Sequence, residues 1–233
     1  MTPPGSYTTK VLQKTNLTPD VILLQLEFPQ PFSFQAGQFI TLFIEHNSER
    51  KPRSYSILNP PSNAKIVDLC IKIIDDGFAS EVFRKTKVGD LFTTRGPFGH
   101  FILNEHTLHQ EQWFIGAGTG IAPLYSILKK YLPITPKTQF HLLFGTKTKS
   151  DILFHEEFLS LAKKYPNFHY TPTLTREKET WKGATGHVQQ HLPQDSQNKI
   201  FYICGLKELV LETKQLLLDR GADSTNIHFE RYN

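Results

Sequence analysis

The 233-residue chain is 39% hydrophobic and 21% charged, enough for one large domain or two ordinary ones with a buried core. Two cysteines, Cys70 and Cys204, exclude a disulfide scaffold, a four-cysteine zinc site and an iron-sulfur cluster held by four thiolates of this chain, and a net charge of +4 spread along the sequence argues against a nucleic-acid partner. The apolar run 113–128 holds three glycines and a proline and falls short of the ~20 apolar residues of a bilayer helix, and Met1-Thr2-Pro3-Pro4-Gly5 lacks the parts of an export signal, so a cytoplasmic protein with no membrane insertion is expected.

From residue 7 to about 103 the apolar pattern is short and alternating, as in half-buried strands between Pro and Gly turns. In Leu24-Gln25-Leu26-Glu27-Phe28 the even residues are expected in a core and the odd ones in water. Further strands are expected at 39–44, 54–58, 66–74 and 91–94, with a turn at Gly89-Asp90 and one helix at 79–87. Such a set predicts a closed antiparallel β-barrel, because closure removes exposed edges.

After Asn104 the rhythm changes to strands alternating with helices. Strands are expected at 112–115, 140–144, 168–174, 200–204 and 227–229, and helices at 123–131, 156–165 and 207–219, the last stopping at Gly221. That order implies an α/β domain with a mainly parallel sheet covered on both faces. The polar stretch 104–111 marks the boundary, dividing the chain into 1–105 and 106–233.

Gly116-Ala117-Gly118-Thr119-Gly120 follows the first strand of the second half, at the carboxyl edge where parallel sheets bind ligands. Glycines there admit a pyrophosphate to the backbone at a helix N-terminus, or simply make a tight turn. The dinucleotide fingerprint is incomplete: Ile121 stands where a third glycine would, and Gly145-Thr146-Lys147 ends the second strand without a ribose-gripping acid. Cys204-Gly205 ends another strand on the same edge, as inert packing or as part of a site facing the turn. In the first half, Arg53-Ser54-Tyr55-Ser56 offers a cation for phosphate, a ring for planar packing and a hydroxyl for a heteroatom. Gly77-Phe78-Ala79-Ser80 opens a helix and is a second phosphate seat, or a stretch in which Ser80 or Asp76 is an ordinary cap. His187 and His191 share an i, i+4 spacing and His106 and His109 lie in the linker, but no third ligand accompanies them and no metal site is expected. Trp181-x-Gly183-x-x-Gly186 is expected to shape a loop.

Taken in order, Arg53-x-Tyr55-Ser56, Leu69-Cys70-Ile71-Lys72, Gly77-x-x-Ser80, Gly96-Pro97-Phe98-Gly99, Gly116-x-Gly118-Thr119-Gly120-Ile121-Ala122-Pro123, Cys204-Gly205 and Glu230-x-Tyr232 resemble the motifs of the ferredoxin:NADP(+) reductase superfamily. The resemblance covers nearly the whole chain and implies a flavin-binding barrel, an NAD(P)H-binding domain and hydride transfer between the two cofactors. It assigns Arg53 and Ser54 to FAD, Tyr55 to packing on the isoalloxazine, Ser56 to the neighbourhood of flavin N5, and Lys72, Gly77, Ala79 and Ser80 to the pyrophosphate. Gly116, Gly118, Thr119, Gly120 and Gly205 are assigned to the nicotinamide nucleotide, with Cys204 beside its ring, Glu230 as an assisting carboxylate and Tyr232, just before the terminal Asn233, over the flavin's other face. Ser56, Cys204 and Glu230 form the implied catalytic set.

Thr175-Arg176-Glu177, with Lys178 and Lys182 nearby, resembles the segment that holds the 2'-phosphate in NADPH-using relatives, so NADPH is expected over NADH. The 233 residues and two cysteines leave no room for an iron-sulfur or globin domain beside the two read here, so a separate acceptor is expected. An acidic one-electron carrier, ferredoxin or flavodoxin, is expected to dock on a positive rim of Lys51, Arg84, Lys85, Lys87 and Arg95, taken as free cations. The alternatives are an NAD(P)H:flavin reductase, the reductase component of an oxygenase, and a noncatalytic nucleotide-binding accessory subunit.

Overall fold

The computed structural model describes residues 4–62, 65–177 and 181–232. It divides into two compact units: residues up to Ile102 with Tyr125–Lys130, and Leu103–Leu124 with the chain from Tyr131 onward.

The first unit is built on a 6-stranded sheet of β1 (Gly5–Thr18), β2 (Val21–Glu27), β3 (Phe39–His46), β4 (Glu49–Ser56), β5 (Ile66–Lys72) and β6 (Leu91–Phe98), in the spatial order β4-β3-β6-β1-β2-β5. Every pairing is antiparallel. The end strands meet through an antiparallel bridge between Ile57 and Leu69. Leu58 N–H donates to Asp68 O at 2.9 Å, and the Asn59 side chain accepts from Asp68 N–H at 2.8 Å and donates to Ile66 O at 3.1 Å, so one short seam brings the sheet's edges together. The alternation in β2 holds: Leu24, Leu26 and Phe28 are buried with Ile40, Leu42 and Ile44, while Gln25 and Glu27 are partly exposed. Helix α1 (Phe78–Lys85) buries Phe83 in this core.

β4 starts earlier than the expected 54–58, because Glu49, Arg50, Pro52 and Arg53 lie exposed in a strand whose polarity masks it. The long β1 has the same cause: its Thr, Lys, Gln and Asn residues alternate with few apolar ones, and Thr9 and Val11 are its main core contacts.

The chain continues through β7 (Glu111–Ala117), α2 (Ile121–Tyr131), whose residues Tyr125–Lys130 group with the first unit, and then β8 (Phe140–Thr146), α3 (His155–Lys164), β9 (Phe168–Leu174), the short β10 (Ala184–Thr185), β11 (Lys199–Leu206), α4 (Lys207–Asp219) and β12 (Ile227–Tyr232) of the second unit. Its sheet runs β10-β9-β8-β7-β11-β12, all parallel. The chain steps outward from β7 through β8 to β9 and then returns to β11 on the other side, so the strand order reverses between β7 and β11. One face packs Ile115, Leu143, Phe201 and Ile203 against Val188, Val210 and Leu217. The other carries a stacked row, with Phe114 5.2 Å from Tyr202 and Tyr202 4.9 Å from His228 between ring centroids. Near the strands' amino ends, Trp113 stacks on His141 at 4.1 Å and His141 on His169 at 4.7 Å. Glu111 accepts from Trp113 Nε1 at 3.0 Å and lies 3.7 Å from His141 Nε2 and 3.9 Å from Lys199. No helix among the described residues is long and apolar enough to cross a membrane.

Candidate functional site

In the first unit the residues converge where β4 meets the start of α1. Strand alternation turns Arg53 and Tyr55 to one side of β4 and Ser54 and Ser56 to the other. Tyr55 packs edge-on to Phe83 at 5.7 Å, and burial pushes its phenol well above its ordinary range against the pull of the Arg53 charge. Arg53 is exposed; its Nη1 donates to Pro52 O at 2.9 Å, and its guanidinium lies 5.9 Å from the Phe78 ring centroid. Lys51 Nζ sits over the same ring at 4.3 Å. Ser54 Oγ lies 3.1 Å from Thr41 Oγ1. Ser56 is buried opposite Phe39, whose ring is 5.8 Å from that of Phe98.

Gly77 is the N-cap of α1, in extended conformation and with no side-chain cap. The first helical bond runs from Glu81 N–H to Gly77 O at 3.0 Å, so the N–H groups of Phe78, Ala79 and Ser80 precede the ladder and point from the helix start, a ready anion seat. Neither Ser80 nor Asp76 caps the helix: buried Ser80 Oγ accepts Ile74 N–H at 3.0 Å and ties the preceding turn to the helix. Lys72 is exposed and ion-paired with Asp20. Burial raises the Asp20 carboxyl, but hydrogen bonds from Lys72 and Thr18 and the Lys72 charge hold it below its usual value.

The expected free positive rim is corrected at two positions. Arg84 reaches Glu81 at 2.7 Å and Asp75 at 3.1 Å, and Lys51 is ion-paired with Glu49. The first pair follows the i, i+3 neighbour rule on α1, Asp75 comes from the turn before that helix, and Glu49 lies two residues from Lys51 on β4.

In the second unit the glycine turn and the end of β11 flank the reversal of strand order. Gly118–Gly120 form a single 3-10 turn leading into α2. The glycines differ in purpose. A Cβ on Gly120 would stand 2.3 Å from Cys204 O, and one on Gly116 would stand 2.8 Å from Leu124 Cδ1, so both are fixed by close packing. Gly118 has φ +53° and nothing within 4 Å of where a Cβ would be, which leaves its surroundings open to a ligand. Thr119 between them is half-buried. Cys204 is buried, in register with Gly116 on one side and Glu230 on the other. Burial and the Glu230 charge push its thiol well above the ordinary value, while a hydrogen bond with Tyr232 works the other way. Cys204 is therefore a neutral thiol near pH 7, a small packing surface rather than a thiolate nucleophile. Gly205, in register with Arg231, is the second-last residue of β11 and places no side chain beside Cys204.

Thr175 N–H donates to Thr146 O at 3.1 Å, Arg176 N–H to Lys147 O at 2.9 Å, and Lys149 N–H to the Glu177 carboxylate at 2.7 Å. The segment after β9 is thus stitched to the end of β8, bringing exposed Arg176 beside Lys147 and Lys149. Lys178 lies outside the described residues. Trp181 Nε1 donates to Ala184 O at 2.8 Å and its ring is 6.0 Å from His155, a loop-shaping role. His191 Nε2 lies 3.0 Å from Thr185 O, and no His, Cys, Asp or Glu cluster among the described residues could hold a metal ion. The sequence reading puts Lys51 in the docking rim and gives Phe78 and Lys147 no ligand role of their own; the alternation of Lys51 with Arg53 on one strand face is the available signal for setting those two side by side.

Residues 8–102 match the oxidoreductase FAD-binding domain and residues 114–215 the oxidoreductase NAD-binding domain. The chain is 29% identical to ferredoxin--NADP reductase B of Sorangium cellulosum (strain So ce56), over 87% of this chain and 86% of that one. It is 28% identical to the phenol hydroxylase P5 protein of Acinetobacter pittii (strain PHEA-2), over 97% of this chain and 65% of that one, and so spans under two thirds of that relative. Among solved structures, the Amycolatopsis cytochrome P450 reductase GcoB superposes with a TM-score of 0.92 at 24% identity, covering 99% of this chain and 71% of that one; this likeness speaks to the fold. The exposed guanidinium and the open N–H groups at the start of α1 are the donor chemistry a dinucleotide flavin's diphosphate requires, so the residues present fit FAD.

Proposed function

Because the chain belongs to the ferredoxin:NADP(+) reductase superfamily, we propose that it oxidises NAD(P)H through FAD and passes the electrons to a separate acidic one-electron carrier, a ferredoxin or flavodoxin. The observation that carries this reading is the pairing, in one chain, of the cation and open helix N–H groups at β4 and α1 with the glycine turn packed on Cys204 at the strand-order reversal.

Bound FAD would accept the hydride and release electrons singly or as a pair. The roles we propose for this chain divide at residues 105 and 106. Arg53 and the N–H groups of Phe78, Ala79 and Ser80 hold the flavin diphosphate, with Gly77 keeping the approach clear. Lys72 assists from β5 by exchanging its Asp20 partner for phosphate. Tyr55 packs on the ring system and Ser56 orients the flavin by a hydrogen bond. In 106–233, Gly116, Gly118, Thr119, Gly120 and Gly205 admit the nicotinamide nucleotide, Cys204 limits how its ring can lie, and Glu230 holds a proton or a polar group beside it. Tyr232 covers the flavin. Thr175 and Arg176, with Lys147, favour NADPH by taking the 2'-phosphate. The protein works in the cytoplasm in this reading.

The likeness to the phenol hydroxylase P5 protein supports a second reading, the reductase component of an oxygenase. Purified protein should be yellow, release FAD on denaturation and oxidise NADPH with a neutral quinone. A colourless protein that cannot be reconstituted with FAD would sink the proposal and leave the accessory-subunit reading standing.

A further inference from the structure

Three of the exposed large apolar side chains gather on α4 and the strands it joins: Leu206 is 62% exposed, Leu211 45% and Phe229 39%. Lys207, Leu211 and Lys214 are spaced i, i+4, i+7 and share one stripe of α4. That stripe faces the outermost strand, since Lys214 Nζ lies over the Phe229 ring of β12 at 4.9 Å. Arg231, two residues on from Phe229 and exposed, extends the same face of β12. One acid of the helix is engaged away from Lys207 and Lys214: Glu212 accepts from Gln189 at 3.2 Å. Among the described residues, no carboxylate forms an ion pair with Lys207, Lys214 or Arg231. Leu211 and Phe229 therefore lie beside three cations that are not ion-paired, while the cations of the first unit at Arg84 and Lys51 are already neutralised.

We propose that the α4 and β12 face, with Leu211 and Phe229 at its centre and Lys207, Lys214 and Arg231 around them, is the docking surface for an acidic electron-carrier protein. The inference rests on the reductase function proposed above and names where its partner binds. The face begins at Lys207 and Arg231, immediately after Leu206 and Glu230, so a carrier seated there lies at the sheet edge that ends in Cys204 and Gly205. A second copy of this chain is disfavoured, because a two-fold contact would bring the same three cations against themselves. An apolar centre with a cationic rim complements a carrier whose acidic residues surround its redox group, and such complementarity raises the association rate and sets orientation.

The test uses the full-length holoprotein and an acidic plant-type [2Fe–2S] ferredoxin as probe. Wild-type protein should bind it at low ionic strength, and carbodiimide crosslinking should map to Lys207 or Lys214. The variant carrying Lys207→Glu, Lys214→Glu and Arg231→Glu should bind at least about tenfold more weakly and lose most of its salt dependence, while NADPH oxidation with a neutral quinone is unchanged. Leu211→Ser alone should weaken binding without altering its salt dependence. Unchanged binding in the triple variant, or no binding by the wild type, overturns the proposal. Self-association abolished by Phe229→Glu assigns the face to a second copy, and preferential binding to phosphatidylserine vesicles assigns it to a membrane surface; either result also overturns it. The binding arm needs no turnover, so wild-type protein that binds ferredoxin yet oxidises no NADPH refutes the reductase reading alone.

Discussion

The two candidate sites are built on opposite principles. At β4 and α1 the cation is exposed and lightly held, as when Arg53 Nη1 donates to the neighbouring carbonyl of Pro52 and its guanidinium lies 5.9 Å from the Phe78 ring. At β7 and β11 the functional groups are buried and held by contact, with Gly120 against the Cys204 carbonyl and Cys204 between Gly116 and Glu230. The difference teaches where each is vulnerable. A site made of charge loses its ligand and keeps its fold when one side chain is removed, whereas a site made of close packing loses both together.

The largest effect should come from Gly120→Ala. Its Cβ would overlap the Cys204 carbonyl, and backbone on both sides leaves little to yield, so a loss of about 2 to 4 kcal/mol is expected. Denaturant unfolding should show it, with Gly118→Ala as control: that residue meets no neighbour, and only the cost of its left-handed backbone, about 1 to 2 kcal/mol, applies. Equal destabilisation of the two variants would erase the contrast drawn between the glycines.

Next in size, Arg53→Ala should weaken FAD binding by one to two orders of magnitude, about 1.5 to 3 kcal/mol for a charged hydrogen bond, while the melting temperature of the apoprotein stays unchanged. Flavin fluorescence titration and calorimetry of the same preparation decide it; a parallel fall in apoprotein stability would place Arg53 among the packing residues. Cys204→Ala and Ser56→Ala should slow flavin reduction more than they weaken flavin binding, since each removes a small side chain that fixes alignment. Stopped-flow reduction at wild-type rates in both would return them to structure.

A smaller effect concerns pH. Burial, then the His169 charge, depresses the His141 imidazole to about 4 against Glu111's opposing pull. The unfolded chain, with its imidazole near 6.5, binds that proton more readily, so stability is lost as pH falls below 6.5 and the loss is complete near 4. His141→Phe should flatten that limb of the melting-temperature profile and preserve the stack on Trp113; an unaltered acid limb would show that other groups set it. Smallest of all, Arg176→Ala should lower the ratio of NADPH to NADH efficiency by about tenfold, the worth of one exposed charge-assisted contact.

Much of the fold was legible because burial leaves a period. Leu24, Leu26 and Phe28 alternate, and Leu124, Ile127, Leu128 and Tyr131 recur at helical spacing, whatever surrounds them. β1 and the first half of β4 escaped because their solvent faces are polar and their inward residues few, so hydrogen bonding to β2, β6 and β3 makes them strands rather than any apolar signal. The glycine turn and the Cys204-Gly205 strand end were legible as motifs; that Gly120 is held by a carbonyl while Gly118 faces open space was not, because the contact joins segments far apart in sequence. The pairing of Arg84 with Glu81 obeys an i, i+3 rule that sequence could have supplied, whereas its contact with Asp75 depends on the turn before α1.

The contact between Gly120 and the Cys204 carbonyl ties the opening fluctuations of two distant segments together. If the turn lifts, the end of β11 loses its cover; if β11 slides, the turn loses its floor. Amide hydrogens of Gly120 and Ile121 and those of Cys204 and Gly205 should then exchange with solvent as one cooperative unit, at a rate set by a shared opening equilibrium. A nucleotide that contacts the glycines alone would protect the strand end as well, by the same free energy, so isotope exchange would register binding at amides the ligand never touches.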